Sequence, residues 1–283
     1  MAKASVIDII QGAYELYAEK WREAVSPFIA LFAVAILFGA ISFIASVSGN
    51  AVCSATRDSA AAALCAIPRV FEFGVSALEK FVSLFVIMAA LAPLYGLVRG
   101  KKMGNWFAEL GPQFVNTLKV ILLRAALTVA AFLPFLAVVL LNIAALAALL
   151  AAFRGGNAAP FALGGFTIVL IAAALLTGIL VALVQFFLTF LEIEVVLGKK
   201  GVMDALAASV SLVRENLLDV FLFNVVWWLI GIAVGMVTLL LCCTIILIPL
   251  TIVIVPLIVT PIEWLSRIML WQALSGAGAK KGR

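Results

Sequence analysis

The side chains with chemistry to offer are few, and most are carboxylates and guanidinium groups set in apolar runs. Arg124, Glu192, Glu194, Glu263 and Arg267 each sit inside such a run or at its end. An ionisable group in hydrocarbon is costly and marks a solute pathway, a proton relay or a structural pair. Glu263 and Arg267 stand four apart with the acid first, the better order for an ion pair along one helix face. Two readings stay open for these five residues. One is a charged vestibule for an anionic or zwitterionic solute. The other is a set of pairs that join helices near the membrane surface while long basic side chains reach toward water. The second is preferred.

The remaining reactive groups are the four cysteines. Cys53 and Cys65 close a short loop and form the natural disulfide; Cys242 and Cys243 are adjacent, a strained pairing, so cross-pairing to the first loop stays open. No motif has metal-ligand spacing. The chain contains no histidine, so the commonest general base and metal ligand is missing. No catalytic set, metal site or cofactor is expected, and an enzyme is the least favoured class.

The elements that hold these residues are membrane spans. Of the 283 residues, 66% are hydrophobic and 12% charged, against roughly a quarter charged in a soluble domain. That excludes a soluble globular enzyme, and it excludes a disordered chain, which needs low hydrophobicity and high charge. A crossing helix needs about 20 mainly apolar residues. Such runs occur at 28–48, 81–98, 117–153 and 166–197, the third containing Pro134, where a kink is expected. From 220 to 262 there is no charge, twice the length of a span, and Pro249 falls where a tight hairpin would lie. The reading is an all-α polytopic membrane protein with six spans, the sixth continuing to Trp271. Residues of both charge signs precede the first run, which is too long for a cleaved signal, so it is expected to stay as a span.

Topology follows from the basic residues. With the N-terminus inside, all of the 19 Lys and Arg except Arg57, Arg69, Lys80 and Arg154 fall in inner segments. Both termini are therefore expected in the cytoplasm of a multi-pass cell-membrane protein. Tyr14, Tyr17, Trp21, Tyr95, Trp106, Trp264 and Trp271 map to the same side, where amphipathic rings prefer to sit. Trp227 and Trp228 lie deeper and are expected to pack on a neighbouring helix.

Ahead of each odd span stands an inner segment with helical periodicity. In the first, Ile10, Tyr14, Tyr17 and Trp21 form an apolar stripe; in the third, Val202, Leu206, Val210, Val213 and Leu217 do so. The middle segment keeps an apolar face through Trp106, Phe107, Leu110, Phe114 and Leu118, though Gly111-Pro112 interrupts it. Asp8, Asn105 and Asp204 recur at intervals of roughly a hundred residues, which suggests a single membrane domain built as a three-fold parallel repeat, 1–98, 99–197 and 198–283. About three interfacial helices are expected to lie along the headgroup boundary. Gly231 and Gly235 form a GxxxG, and Ala35 with Gly39 a second small pair, that let helices approach closely within one chain or between chains. Asn142, Gln185 and Asn224 are expected to bind helices together.

The third inner segment reads Gly198-Lys199-Lys200-Gly201-Val202 and then Ala205, Leu206, Ser209, Leu212, Val213, Arg214 and Asn216 in the pattern A-L-x-x-S-x-x-L-V-R-x-N. Over about 35 residues this resembles the six-span membrane domain attached to some bacterial glycerophosphodiester phosphodiesterases and its stand-alone relatives. The resemblance implies a membrane module. The catalytic barrel of those enzymes, which uses histidines, has no counterpart here, which argues against phosphodiesterase activity. Two functions follow. The first is a non-catalytic scaffold or accessory in envelope or lipid-related processes, with membrane lipids and a second copy or other membrane proteins as partners. The second is a transporter or channel for a small anionic or lipid-like solute, which requires a polar cavity reaching the membrane midplane. The net charge of +5 suits anionic headgroups. No nucleic-acid partner is expected, since the basic residues belong to short membrane-flanking loops.

Overall fold

The computed structural model describes residues 5–55, 62–152, 159–242 and 253–276; side chains are described except at 49–55, 62–70, 73, 142–152, 159–168, 170 and 242. Among the described residues the chain is helical, with no strand. The elements are α1 (Val6–Ala24), α2 (Ser26–Ala55), α3 (Ala62–Val98), a 3-10 turn (Trp106–Glu109), α4 (Leu110–Ala152), α5 (Ala159–Phe187), α6 (Leu191–Val196), α7 (Val202–Glu215) and α8 (Leu217–Cys242). A π-helical turn (Val255–Val259) then leads into α9 (Thr260–Leu274).

Five helical stretches among the described residues are long and apolar enough to cross a membrane: Ser26–Ser48, Gly74–Val98, Trp106–Leu141, Ile171–Val196 and Leu217–Leu241. They coincide with the first five expected runs. The sixth does not join them. Residues 243–252, with Pro249, lie outside the described residues, and the π turn and α9 that follow are individually short. Pro134 lies inside α4, which continues on both sides of it. At 1.5 Å per residue the 37 residues of α3 and the 43 of α4 give about 55 and 65 Å. Both exceed the hydrocarbon core of about 30 Å.

The chain forms two compact units, Met1–Leu118 with Phe190–Arg283, and Lys119–Thr189. In the first, the C-terminal half of α3 is the centre, burying Met88, Ala89, Leu91, Leu94 and Leu97. Around it lie Phe28 and Leu31 of α2, all of α6, Val220 and Phe223 of α8, and Leu265 and Ile268 of α9. Farther along, α2 exposes Ile36, Leu37, Phe43 and Ile44, and α8 exposes Leu229, Met236, Leu239 and Leu240. Bare apolar side chains of this kind are stable where the surrounding solvent is lipid. The second unit holds most of α4 and all of α5, whose side chains Leu133, Leu140, Ile171, Leu175 and Ile179 are likewise exposed.

Two of the three expected inner helices form; α1 buries a different face from the one its periodicity picks out, and α7 shares only Val213, fully buried, and half-buried Val202 and Leu206 with the expected stripe. A capping box opens α1, where the Ser5 hydroxyl accepts from the Asp8 N–H and the Asp8 carboxylate accepts from the Ser5 N–H. Its buried face is Val6, Ile9, Ala13 and Ala24, packed on α9, while Tyr14 and Trp21 of the expected stripe are exposed. On α7 the buried residues are Ala205, Ser209 and Val213; Val210 and Leu217 of the expected stripe are exposed. Small residues face inward because they let α7 close on α6. The middle segment is no separate α-helix but a 3-10 turn that runs into α4. Pro112 falls in the first turn of α4, where a missing N–H costs nothing. The three-fold repeat is therefore not reproduced at its middle element.

Candidate functional site

The charges meet at the end of the first unit where α3 finishes and α6, α7 and α9 converge. All six residues of α6 are buried, including Glu192 and Glu194. A buried carboxylate needs donors, and Glu194 has two. Its Oε1 accepts from the indole N–H of Trp271 at 2.9 Å, and its Oε2 pairs with Lys200 Nζ at 2.8 Å. The lysine reaches it because the chain reverses immediately after α6. The Leu197 N–H donates to Ile193 O at 2.7 Å and the Lys200 N–H to Glu194 O at 3.4 Å. Lys199 takes a left-handed φ of 52°. Gly198 cannot carry a side chain, since a Cβ would lie 2.5 Å from Glu194 O and 2.7 Å from Oε2.

Trp271 extends the network toward α3. The Tyr95 ring meets it edge-on at 5.9 Å, and the Arg99 guanidinium lies 4.2 Å over the Tyr95 ring while donating to its hydroxyl. On α9 the spacing of four places Glu263, Arg267 and Trp271 on one face. Arg267 Nη2 donates to Glu263 Oε1, and its guanidinium sits 5.1 Å over Trp264. Behind them, buried Ser266 accepts the Trp227 indole N–H at 3.1 Å and donates to Glu263 O at 2.8 Å.

Of the five charged candidates, the structure thus brings Glu194 and the Glu263–Arg267 pair onto linked elements of the first unit, and Glu192 is wholly buried beside Ile193. Arg124 belongs to the second unit. Its Nη2 donates to Leu188 O at 3.2 Å, just past the end of α5, where a cation suits the exposed carbonyls. Sequence reasoning missed Trp271, Lys200 and Gly198 as partners of Glu194. The adjacent turn Gly198-Lys199-Lys200-Gly201 was the available signal, because a basic turn after an acidic helix end can fold back on it.

Tyr17 supplies a further polar contact. Its hydroxyl donates to Leu257 O at 2.6 Å. In a regular helix residue 261 would donate to that carbonyl, but Pro261 has no N–H. Burial raises the Tyr17 pKa above the ordinary tyrosine value.

The family-like motif is a packing pattern. Ala205, Ser209 and Val213 are fully buried, Leu206 and Leu212 half-buried and Arg214 exposed. Asn216 ends α7, with its side chain and its backbone N–H both donating to Leu212 O. Gly231 and Gly235 are not in a tight helix contact, since nothing lies within 4 Å of a Cβ built at either, and the same holds at Gly39. Trp228 is exposed rather than packed, and Asn224 donates to Val220 O within its own helix. Gln185 meets Thr128 at 3.5 Å, and Asn142 has its side chain outside the described residues. Two apolar grooves flank Trp227 and Val259. One, of about 370 Å³, has walls from α1 and α8; the other, of about 380 Å³, runs between α8 and the π turn past Gly231 and Gly235 to Glu263.

Cys53 and Cys65 fall in α2 and α3 by backbone, not in one loop, and their side chains lie outside the described residues. The side chain of Cys242 and the whole of Cys243 lie outside them as well, so the expected disulfide has no support. No group of three acidic or thiol side chains among those residues could hold a metal ion.

Comparison with curated proteins and with solved structures finds no match. Nothing links the chain to the membrane domains attached to glycerophosphodiester phosphodiesterases, so the motif resemblance is not carried further. A family model described as a domain of unknown function, DUF7847, matches residues 23–278, and the chain belongs to that family.

Proposed function

We propose that this protein is a multi-pass cell-membrane scaffold or accessory module, not an enzyme, acting in envelope or lipid-related processes. Both termini face the cytoplasm, and the segment from the π turn through α9 completes a sixth crossing. Its partners are membrane lipids and a second copy or another membrane protein. The observation that carries this reading is the state of the charges. Glu194 is held by Trp271 of α9 and by Lys200, a strut between α6 and α9, and Glu263 is paired with Arg267 one turn along α9 itself, so both carboxylates have partners inside the protein. A transport pathway would need such groups turned toward a polar cavity, whereas the grooves beside Trp227 are lined mainly by aliphatic and aromatic side chains.

The test is flux through proteoliposomes containing the purified chain, using small organic anions, zwitterions and a fluorescent lipid. Leakage and lipid transfer equal to those of empty vesicles are expected. Flux that is abolished by Glu263→Gln would replace the scaffold with a transporter. Single cysteines introduced at Ser5 and Ser275, probed with an impermeant thiol reagent, test the placement of the termini.

A further inference from the structure

We propose that the groove between α8 and the π turn is a lipid site that takes one hydrocarbon chain of a zwitterionic phospholipid, with the headgroup at Glu263 and Arg267. The inference rests on the membrane reading but not on the scaffold role. Its first support is the wall. Gly231 and Gly235 stand one turn apart on α8 with nothing within 4 Å of either Cβ position, and the missing side chains open about 380 Å³. Pockets for small ligands begin at roughly 300 Å³. Along α8 the groove runs from Trp227 to Thr238, about 16 Å at helical rise, so it is a channel for something long and thin.

The second support is the opposite wall. The π turn holds Pro256 as its second residue and is followed by Pro261, and Thr260 donates across it, through both its N–H and its hydroxyl, to Val255 O. Single π turns inside helices recur at functional sites. Here the turn widens the helix next to the two glycines and is anchored from behind by Tyr17 on Leu257 O.

The third support is charge. One end of the groove is Glu263, paired with Arg267; their side chains are 28% and 23% exposed. An uncharged helix of a second copy, such as α2 or α5, laid into the groove would strip the remaining water from that pair and supply no counter-charge, which is the unfavourable arrangement for a buried ion pair. A zwitterionic headgroup supplies both signs, ammonium toward the carboxylate and phosphate toward the guanidinium. The chain of the same molecule then lies along Gly231 and Gly235, burying apolar surface at both.

The experiment is native mass spectrometry of the purified chain in a mild detergent, with phosphatidylethanolamine or phosphatidylglycerol added. One retained phosphatidylethanolamine per chain is expected, in preference to the anionic lipid. Gly231→Leu should leave about one-tenth of that occupancy, because the new side chain occupies the apolar wall that holds the chain. Glu263→Gln, which leaves the groove open, should retain lipid but lose the preference for phosphatidylethanolamine. Helix content by circular dichroism confirms that both variants fold. Absence of retained lipid, or equal retention by Gly231→Leu, would overturn the site. So would a dimer that Gly231→Leu dissociates, which would place a second copy in the groove. None of these outcomes touches the flux test of the scaffold role.

Discussion

The indole N–H of Trp271 donates to the buried carboxylate of Glu194 at 2.9 Å, and this bond ties α9 to α6 inside the first unit. A buried carboxylate left without donors is costly, and Trp271 is one of the two that Glu194 has. Trp271→Phe keeps the ring and removes the donor. It should lower stability by about 1.5 to 3 kcal/mol, the range for hydrogen bonds to charged groups. Lys200→Met should cost less, about 1 kcal/mol, because Lys200 is 42% exposed and water screens the pair. Thermal midpoints in detergent give the order, and a larger loss from Lys200→Met would contradict it.

Gly198 should tolerate no side chain. A Cβ at 2.5 Å from Glu194 O forces either α6 or the turn to shift, and overpacking of this kind costs about 1 to 3 kcal/mol. Gly201→Ala is the control, since its Cβ would stop 3.4 Å from Asp204 Oδ2. The yield of monodisperse protein should fall for Gly198→Ala and hold for Gly201→Ala.

Gly231→Ala and Gly235→Ala should raise stability. In protein delipidated by detergent, with open space over both positions, the only change is a gain in helix propensity of about 0.5 to 1 kcal/mol each. A lowered midpoint in either variant would mean that another helix packs on that face.

Tyr17→Phe leaves Leu257 O without its donor and should cost about 0.5 to 1.5 kcal/mol. The tyrosine also carries a pH dependence. Burial raises its folded pKa above the unfolded value of about 10, so the neutral form is the one the fold favours. Its contribution is complete below pH 10 or so and is lost as pH rises through the folded value. Alkaline melting curves should therefore fall more gently for Tyr17→Phe than for the parent.

Much of this protein is written locally. The apolar runs that became Ser26–Ser48, Gly74–Val98 and Leu217–Leu241 are legible because span length is set by bilayer thickness, a quantity independent of any neighbour. The Glu263–Arg267 pair is legible for a similar reason, since helix pitch alone brings residues four apart together.

What only the tertiary structure decided depends on distant chain segments meeting. Both α1 and α7 are apolar on more than one side, so periodicity could not say that Val6, Ile9 and Ala13, or Ala205 and Ser209 beside the expected Val213, would form the buried faces. GxxxG reads as a helix contact in one dimension, yet here it lines a groove whose other wall is a π turn. Glu194 could have been a relay or a strut. It is a strut because a glycine turn folds Lys200 back on it and α9 brings Trp271 within hydrogen-bond reach. Composition determined the solvent this chain lives in, and packing alone determined which of its few charges that solvent never reaches.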